Sequence, residues 1–267
     1  MSTLATATAP GFLRDAATLT RRILLHWRQR PVSIGLGLLF PVLMVVMFGY
    51  LFGGAMAVPA GRYLDFLIPG MLAMTMLFGL ESMVVAVTTD AAKGVTDRIR
   101  AMPVSGVAVL VGRGWADLLN ALVGLAVMVG TGLIVGWRPQ HGVVPTLAAL
   151  GLLLWLRFAF GWIGMYLGLL LKTPEAAVSV QVLVWPVGFL SSAFVSPATM
   201  PGWLGAIAAA NPLSATATAI RDLFGNPTWA AHGFAADHAV LLAVAWPAAL
   251  TLVFLPLAYR QYRNLAR

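Results

Sequence analysis

The side chains able to do chemistry in this sequence are few, and nearly all of them interrupt long apolar runs. The densest group is Asp90-Ala-Ala-Lys-Gly-Val-Thr-Asp-Arg-Ile-Arg-Ala-Met-Pro-Val-Ser105, which holds Asp90, Lys93, Asp97, Arg98 and Arg100. Just past Gly94, Val95, Ile99 and Met102 share one face at helical spacing, with Lys93, Asp97 and Arg100 opposite. Pro103, which has no N–H to continue the turn, ends the pattern. The chemistry on offer is docking: a short amphipathic helix on which a partner can push, or else a solvated loop. Glu81 and Arg157 raise a second question, because each stands inside an apolar run, where a charge costs a few kcal/mol unless it is partnered. Counted from the outer ends of their segments at about 1.5 Å per residue, their depths differ by roughly 6 Å. That match predicts an ion pair within one chain; contact with a substrate, or gating, is the other reading.

Covalent chemistry has no such footing. A phosphate-cradling loop needs Gly-x-x-x-x-Gly-Lys-Ser/Thr, and the only Lys-Thr pair, Lys172-Thr173, follows Leu171. His26, His141, His232 and His238 lack metal-ligand spacing, Gly-x-Ser-x-Gly is absent and there is no cysteine. Neither an enzyme nor a bound metal or cofactor is expected. If ATP and Mg drive this protein, another chain holds them.

The elements that must position these residues are membrane spans. Of the 267 residues 60% are hydrophobic and 10% charged, with a mean hydropathy of +0.88, a balance found in polytopic membrane proteins and not in soluble domains. Six segments, 34–52, 66–87, 107–135, 146–171, 177–195 and 239–259, can each cross the roughly 30 Å of hydrocarbon. With both termini inside, thirteen basic residues fall in cytoplasmic segments against three, Arg62, Arg138 and Arg221, outside. That bias sets the orientation, and it accounts for the net charge of +8 without a nucleic-acid partner.

Residues 1–32 form a separate region, expected to be an interfacial helix and not a cleaved signal peptide. Phe12, Ala16, Leu19, Ile23 and Trp27 make its apolar stripe, and Arg14, Arg21 and Arg28 face anionic lipid. The transmembrane domain is 33–267. Within it Arg157 shares a face with Gly161, Gly164 and Gly168, which predicts close packing on protein. Arg113, Asp117, Asn120, Gly124 and Thr131 make a stripe on the third span, expected as a helix-packing seam. Trp137, Trp162, Trp185, Trp203, Trp229 and Trp246 are expected mostly as interfacial or lipid-facing anchors, with a few in 185–229 free to line an apolar route. Between the last two spans, Pro197, Pro201, Pro212 and Pro227 leave two short helices, about 203–209 and 213–224. These either dip into the outer leaflet and return, or lie on the surface.

Four blocks carry a family likeness: Tyr63-Leu-Asp-Phe-Leu-Ile-Pro-Gly70, Asp90 through Arg113, Pro197-Ala-Thr-Met-Pro-Gly-Trp203, and Asn211-Pro-Leu-Ser with Ala219-Ile-Arg-Asp222. The chain resembles a membrane subunit of the ABC-2 family of ATP-binding-cassette transporters, of the daunorubicin-resistance type. It departs from the family pattern at Ala91-Ala92-Lys93, where an acidic residue and an arginine are usual. The resemblance implies an all-α integral membrane protein with a coupling helix in 90–105. Asp90, Lys93, Gly94, Val95, Asp97, Arg98, Ile99, Arg100, Met102 and Pro103 would there meet an ATP-binding subunit. It implies extracellular re-entrant helices in 197–225, carrying Pro197, Pro201, Trp203, Asn211, Pro212 and Arg221. It also implies a plasma or inner membrane complex of two copies with two ATP-binding subunits. The cargo would be an amphipathic drug-like or lipid-like compound, or alternatively a polysaccharide or lipid-linked glycan.

Overall fold

A computed structural model describes residues 14, 17–21, 23, 25, 31–51, 53, 62–102, 105–228 and 234–264, and among these the chain is helix and turn without a strand. Phe12, Ala16, Trp27, Arg28, Pro103 and Trp229 lie outside the described residues, as does the side chain of Arg100.

The bundle is built around α2 (Tyr63–Ala92). Its apolar residues run all round the helix, the pattern of a buried element, and 72% of its most apolar stretch is buried against 17% for the last helix. Its start is fastened by Arg62, which bonds Asp65 Oδ1 at 3.1 Å and the Gly136 carbonyl at 2.7 Å. Beside it stand α4 (Gly106–Ile134), α5 (Val143–Leu171) and α10 (Ala239–Asn264). Among the described residues these four are the helices long and apolar enough to cross a membrane, and they coincide with four of the six expected segments.

The glycine ridge on α5 packs as its spacing predicts. A Cβ on Gly164 would sit 2.5 Å from the Leu80 carbonyl oxygen, and one on Gly168 2.6 Å from Val87 Cβ. Only hydrogen at those positions lets α5 rest on the backbone of α2.

Of the other two segments, the first is helical nearly as expected but irregular at its end, and the fifth differs from expectation. Helix α1 (Pro31–Val46) runs into a π-helical turn, Met47–Leu51. Helix α6 (Pro174–Phe189) has 16 residues, about 24 Å at the helical rise, and stops short of the expected 177–195. From Leu190 the chain turns away, and Ser191, Ser192, Ala193 and Phe194 are buried in the turn. Irregular backbone at this depth needs partners, and they come from the segment after it. A single 3-10 turn (Pro197–Thr199) leads to α7 (Gly202–Ala210) and α8 (Pro212–Phe224), close to the two short helices expected there. Asn211 Nδ2 donates to the Val187 and Leu190 carbonyls, both at 2.8 Å, closing the open end of α6. Its Oδ1 accepts from Leu213 N at 2.9 Å and so caps α8. Ser214 Oγ accepts from Ser192 N at 2.8 Å. A short helix, α9 (Phe234–Asp237), precedes α10.

Two tryptophans expected as anchors are core instead. Trp137 is 1% exposed and donates from Nε1 to Asn226 Oδ1 at 2.8 Å, and Trp162 is also buried. Trp203 is 69% exposed.

Candidate functional site

Two helix faces stand apart near the 90–105 end of the bundle and leave a cavity of about 1230 Å³. On α2 the wall is Thr75, Phe78, Gly79, Ser82, Val85, Ala86 and Thr89, a stripe at three- and four-residue steps. On α4 it is Val109, Arg113, Ala116, Asn120 and Gly124. Phe40 and Pro41 of α1 and Gln181 and Trp185 of α6 close one side. At the lower end come Lys93, Val95 and Ile99, together with Leu19, Arg21 and Ile23 of the N-terminal segment. That segment is held to α4 by Thr20 Oγ1, which donates to the Gly112 carbonyl at 3.0 Å. The third-span stripe is both packing seam and cavity wall: Arg113 and Asp117 pair with neighbouring helices and, with Asn120 and Gly124, line the cavity, whereas Thr131 does not.

Arg157 corrects the expected charge pair. Its guanidinium reaches α4, donating from Nε to Asp117 Oδ2 at 2.7 Å and from Nη2 to Asp117 Oδ1 at 2.6 Å, and both residues are buried. Gly79 makes the passage, since a Cβ there would overlap the guanidinium. The bidentate geometry is what a buried ion pair needs to offset the loss of water from both charges. Lower down, Arg113 pairs with Asp90 and ties the start of α4 to the end of α2. Glu81 lines the same cavity, half-buried, with no hydrogen bond or ion pair among the described residues.

Of the expected coupling segment 90–105, α3 (Val95–Arg100) is helical. Gly94 at φ 65° takes the left-handed conformation that lets the chain turn out of α2. The expected apolar face does not all point outward. Ile99 is 7% exposed and lines the cavity with Val95, whereas Met102 is 44% exposed in the turn beyond the helix. Lys93, Asp97 and Arg98 are on the surface. The solvent-facing side of this segment is therefore charged, with Met102 at its edge and Ile99 turned inward.

Apart from the exposed Trp203, the residues singled out in 197–225 are structural pins. Pro197 opens the 3-10 turn, Pro201 caps α7, and Pro212 takes the first turn of α8, where its missing N–H costs nothing. Arg221 is buried. Its Nε donates to the Phe66 carbonyl at 3.1 Å and its Nη2 to the Ala193 carbonyl at 3.0 Å, with the guanidinium carbon 3.6 Å from the centre of the Phe66 ring. It thus fastens α8 both to α2 and to the break after α6. No residue type alone announced this role, although an arginine in a nominally external but apolar segment was a signal.

Comparison with known proteins bears on what such a bundle does. The model of the ABC-2 type transporter family matches residues 15–224. The chain is 37% identical over 252 residues to a daunorubicin resistance ABC transporter permease of Streptomyces coeruleorubidus, covering 93% of this chain and 87% of that one. It is 24% identical over 253 residues, 90% of this chain and 91% of the other, to a Mycobacterium tuberculosis chain that carries the name doxorubicin resistance ABC transporter permease. A Cyanophora paradoxa chain named as a transport permease is 26% identical over 225 residues, 82% of this chain and 77% of its own length.

Proposed function

The chain belongs to the ABC-2 type transporter family, and from that premise we propose that it is the membrane-spanning permease subunit of an ATP-driven exporter of amphipathic drug-like or lipid-like compounds. Permeases of this family work with an ATP-binding subunit. Here two such subunits, holding the ATP and Mg, serve two copies of this chain. The observation that carries the reading is the cavity between α2 and α4. It reaches from Lys93, Val95 and Ile99 of the coupling segment up to Thr75 and Gly124, so movement of 90–105 by a partner bears directly on its walls. Aromatic rings on one side and charged groups on the other suit an amphipathic cargo.

In this reading the bundle crosses the membrane six times, with α1 and α6 as the shorter crossings and both termini in the cytoplasm. Residues 1–32 lie along the inner surface, 33–267 form the transporter domain, and 197–225 is the external re-entrant element. Closure of the ATP-binding subunits shifts the cavity between inward- and outward-facing states, and cargo changes that balance only through contacts that differ between them.

The test is co-purification of the ATP-binding partner followed by assay of its ATP hydrolysis in lipid. Hydrolysis is expected to rise with amphipathic compounds only when this chain is present. Nucleotide binding by this chain alone would overturn the reading.

A further inference from the structure

Two helices of the bundle end alike, and their ends meet. At the end of α4, Gly136 at φ 90° donates its N–H to the Leu133 carbonyl at 3.3 Å, and Trp137 N donates to the Gly132 carbonyl at 2.8 Å. At the end of α8, Gly225 at φ 70° donates to the Asp222 carbonyl at 3.0 Å, and Asn226 N to the Arg221 carbonyl at 2.9 Å. Both are the left-handed glycine stop, in which the residue after the glycine folds back along its own helix. Those two residues, Trp137 and Asn226, are bonded to each other. Trp137 Nε1 donates to Asn226 Oδ1 at 2.8 Å, and both side chains are buried.

Further contacts fasten the α4–α5 connection at this joint. Gln140 N donates to the Phe224 carbonyl at 2.6 Å, and the Trp137 and Phe224 rings meet edge to face at 5.1 Å. Arg62, at the head of α2, donates to the Gly136 carbonyl at 2.7 Å. Here α4 lies close on α2, since a Cβ on Gly132 would stand 3.1 Å from Ile68 Cγ2 and 2.9 Å from Trp137 Cε3. The cavity begins only beyond this joint, at Thr75 on α2 and Gly124 on α4, and continues to Lys93 and Val109. So α2 and α4 part toward the 90–105 end and are shut at the other. At the parted end they are bridged by the Asp90–Arg113 pair, whose side chains stay 33% and 16% exposed, where water weakens an ion pair.

We propose that the joined ends of α4 and α8 are a clasp that shuts the cavity at the α4–α5 connection, and that opening on this side parts Trp137 from Asn226. The strengths of the bonds decide where the parting falls. Arg221 holds α8 on α2 through two charge-assisted bonds, whereas α4 is held to α8 by neutral ones, which are about half as strong. Helix α4 therefore comes away while α8 stays on α2. The proposal rests on the permease reading above, in which this side is the outside, and it places the outer closure within one chain.

The experiment uses the full-length chain produced with its ATP-binding partner, in sealed right-side-out membrane vesicles. The chain has no cysteine, so Ser82→Cys on the cavity wall gives it a single thiol. A maleimide that cannot cross the membrane is added outside, and its rate of attachment to this chain is measured. Trp137→Phe, which keeps a ring and loses the donor, and Asn226→Ala should each raise that rate about twofold to tenfold, the worth of one neutral hydrogen bond. The double change should raise it no further than the larger single one, because both cut the same bond. Arg62→Gln, at an exposed position where folding is not at stake, should also raise it. Asn211→Ala removes bonds to the Val187 and Leu190 carbonyls away from the clasp and should leave it unchanged. A rate unmoved by the three clasp variants, or raised equally by Asn211→Ala, overturns the clasp. Loading the vesicles with ATP and vanadate reports on the permease reading separately, since it should raise the rate with the clasp residues intact. A response to ATP without a response to the clasp variants refutes the clasp alone. A response to the variants without one to ATP upholds the clasp and counts against the permease.

Discussion

Arg157 and Asp117 meet through two parallel hydrogen bonds, 2.7 and 2.6 Å long, across the passage left by Gly79. The pair joins α4 to α5 at the wall of the cavity, and breaking it leaves a buried charge without its partner. Asp117→Asn and Arg157→Gln are each expected to destabilise the chain by about 3–5 kcal/mol, with the double change costing clearly less than their sum. Glu81→Gln and Arg157→Gln should be additive. Unfolding in detergent measures both cycles, and strong coupling to Glu81 in place of Asp117 would contradict the pairing.

Helix spacing gives a second expectation. Gly164→Ala pushes a methyl group toward the Leu80 carbonyl and Met83, and should cost about 1–3 kcal/mol as overpacking. At Gly151 on the same helix nothing lies within 4 Å of where a methyl group would stand, so Gly151→Ala should stabilise slightly, by up to about 1 kcal/mol from helix propensity. Equal effects at the two sites would mean that α5 does not rest on α2 through Gly164.

Particular residues show how far the sequence could be read. Apolar length located α2, α4, α5 and α10, and the proline spacing located α7 and α8, because each signal is local. The partner of Arg157 was not local. Asp117 lies 11 residues into α4 and Arg157 14 residues before the end of α5, a depth difference of about 5 Å and as good a match as Glu81. Depth places a residue along the axis and says nothing of the direction in which its helix turns it. The same limit applies to Ile99: periodicity grouped it with Val95 and Met102 but left open that it faces inward. The early end of α6 was hidden for another reason. Its break is buried in protein, so the sequence stays apolar through Leu190 and Phe194 while Asn211, Ser214 and Arg221 supply the hydrogen bonds.

Docking of a partner on the coupling segment should follow exposure. Met102→Asp is expected to leave the chain folded and to abolish partner binding or stimulated ATP hydrolysis. Ile99→Asp buries an unpaired carboxylate and should destabilise the chain itself by several kcal/mol. Loss of partner binding in Ile99→Asp with full stability, and none in Met102→Asp, would place the docking face on the other side of α3.

Arg221 should prove hard to replace. Arg221→Met leaves the Phe66 and Ala193 carbonyls without their donor, and each such charged bond is worth about 1.5–3 kcal/mol. Lysine has the charge without the planar fork, so Arg221→Lys should recover only part of the loss. Native stability in the lysine variant would show that charge alone pins α8.

The chain has no cysteine, so a single introduced thiol can report on the cavity as a transport path. Ser82 lies on the cavity wall of α2, and Trp115 on α4 is 58% exposed and off the lining. With the ATP-binding partner reconstituted, ATP-driven movement of an amphipathic dye is measured before and after a bulky maleimide reacts with Ser82→Cys or with Trp115→Cys. Modification of Ser82→Cys should abolish movement, and the dye should slow that modification, while modified Trp115→Cys should transport normally. Undiminished transport with the maleimide fixed at position 82 would contradict a substrate path between α2 and α4.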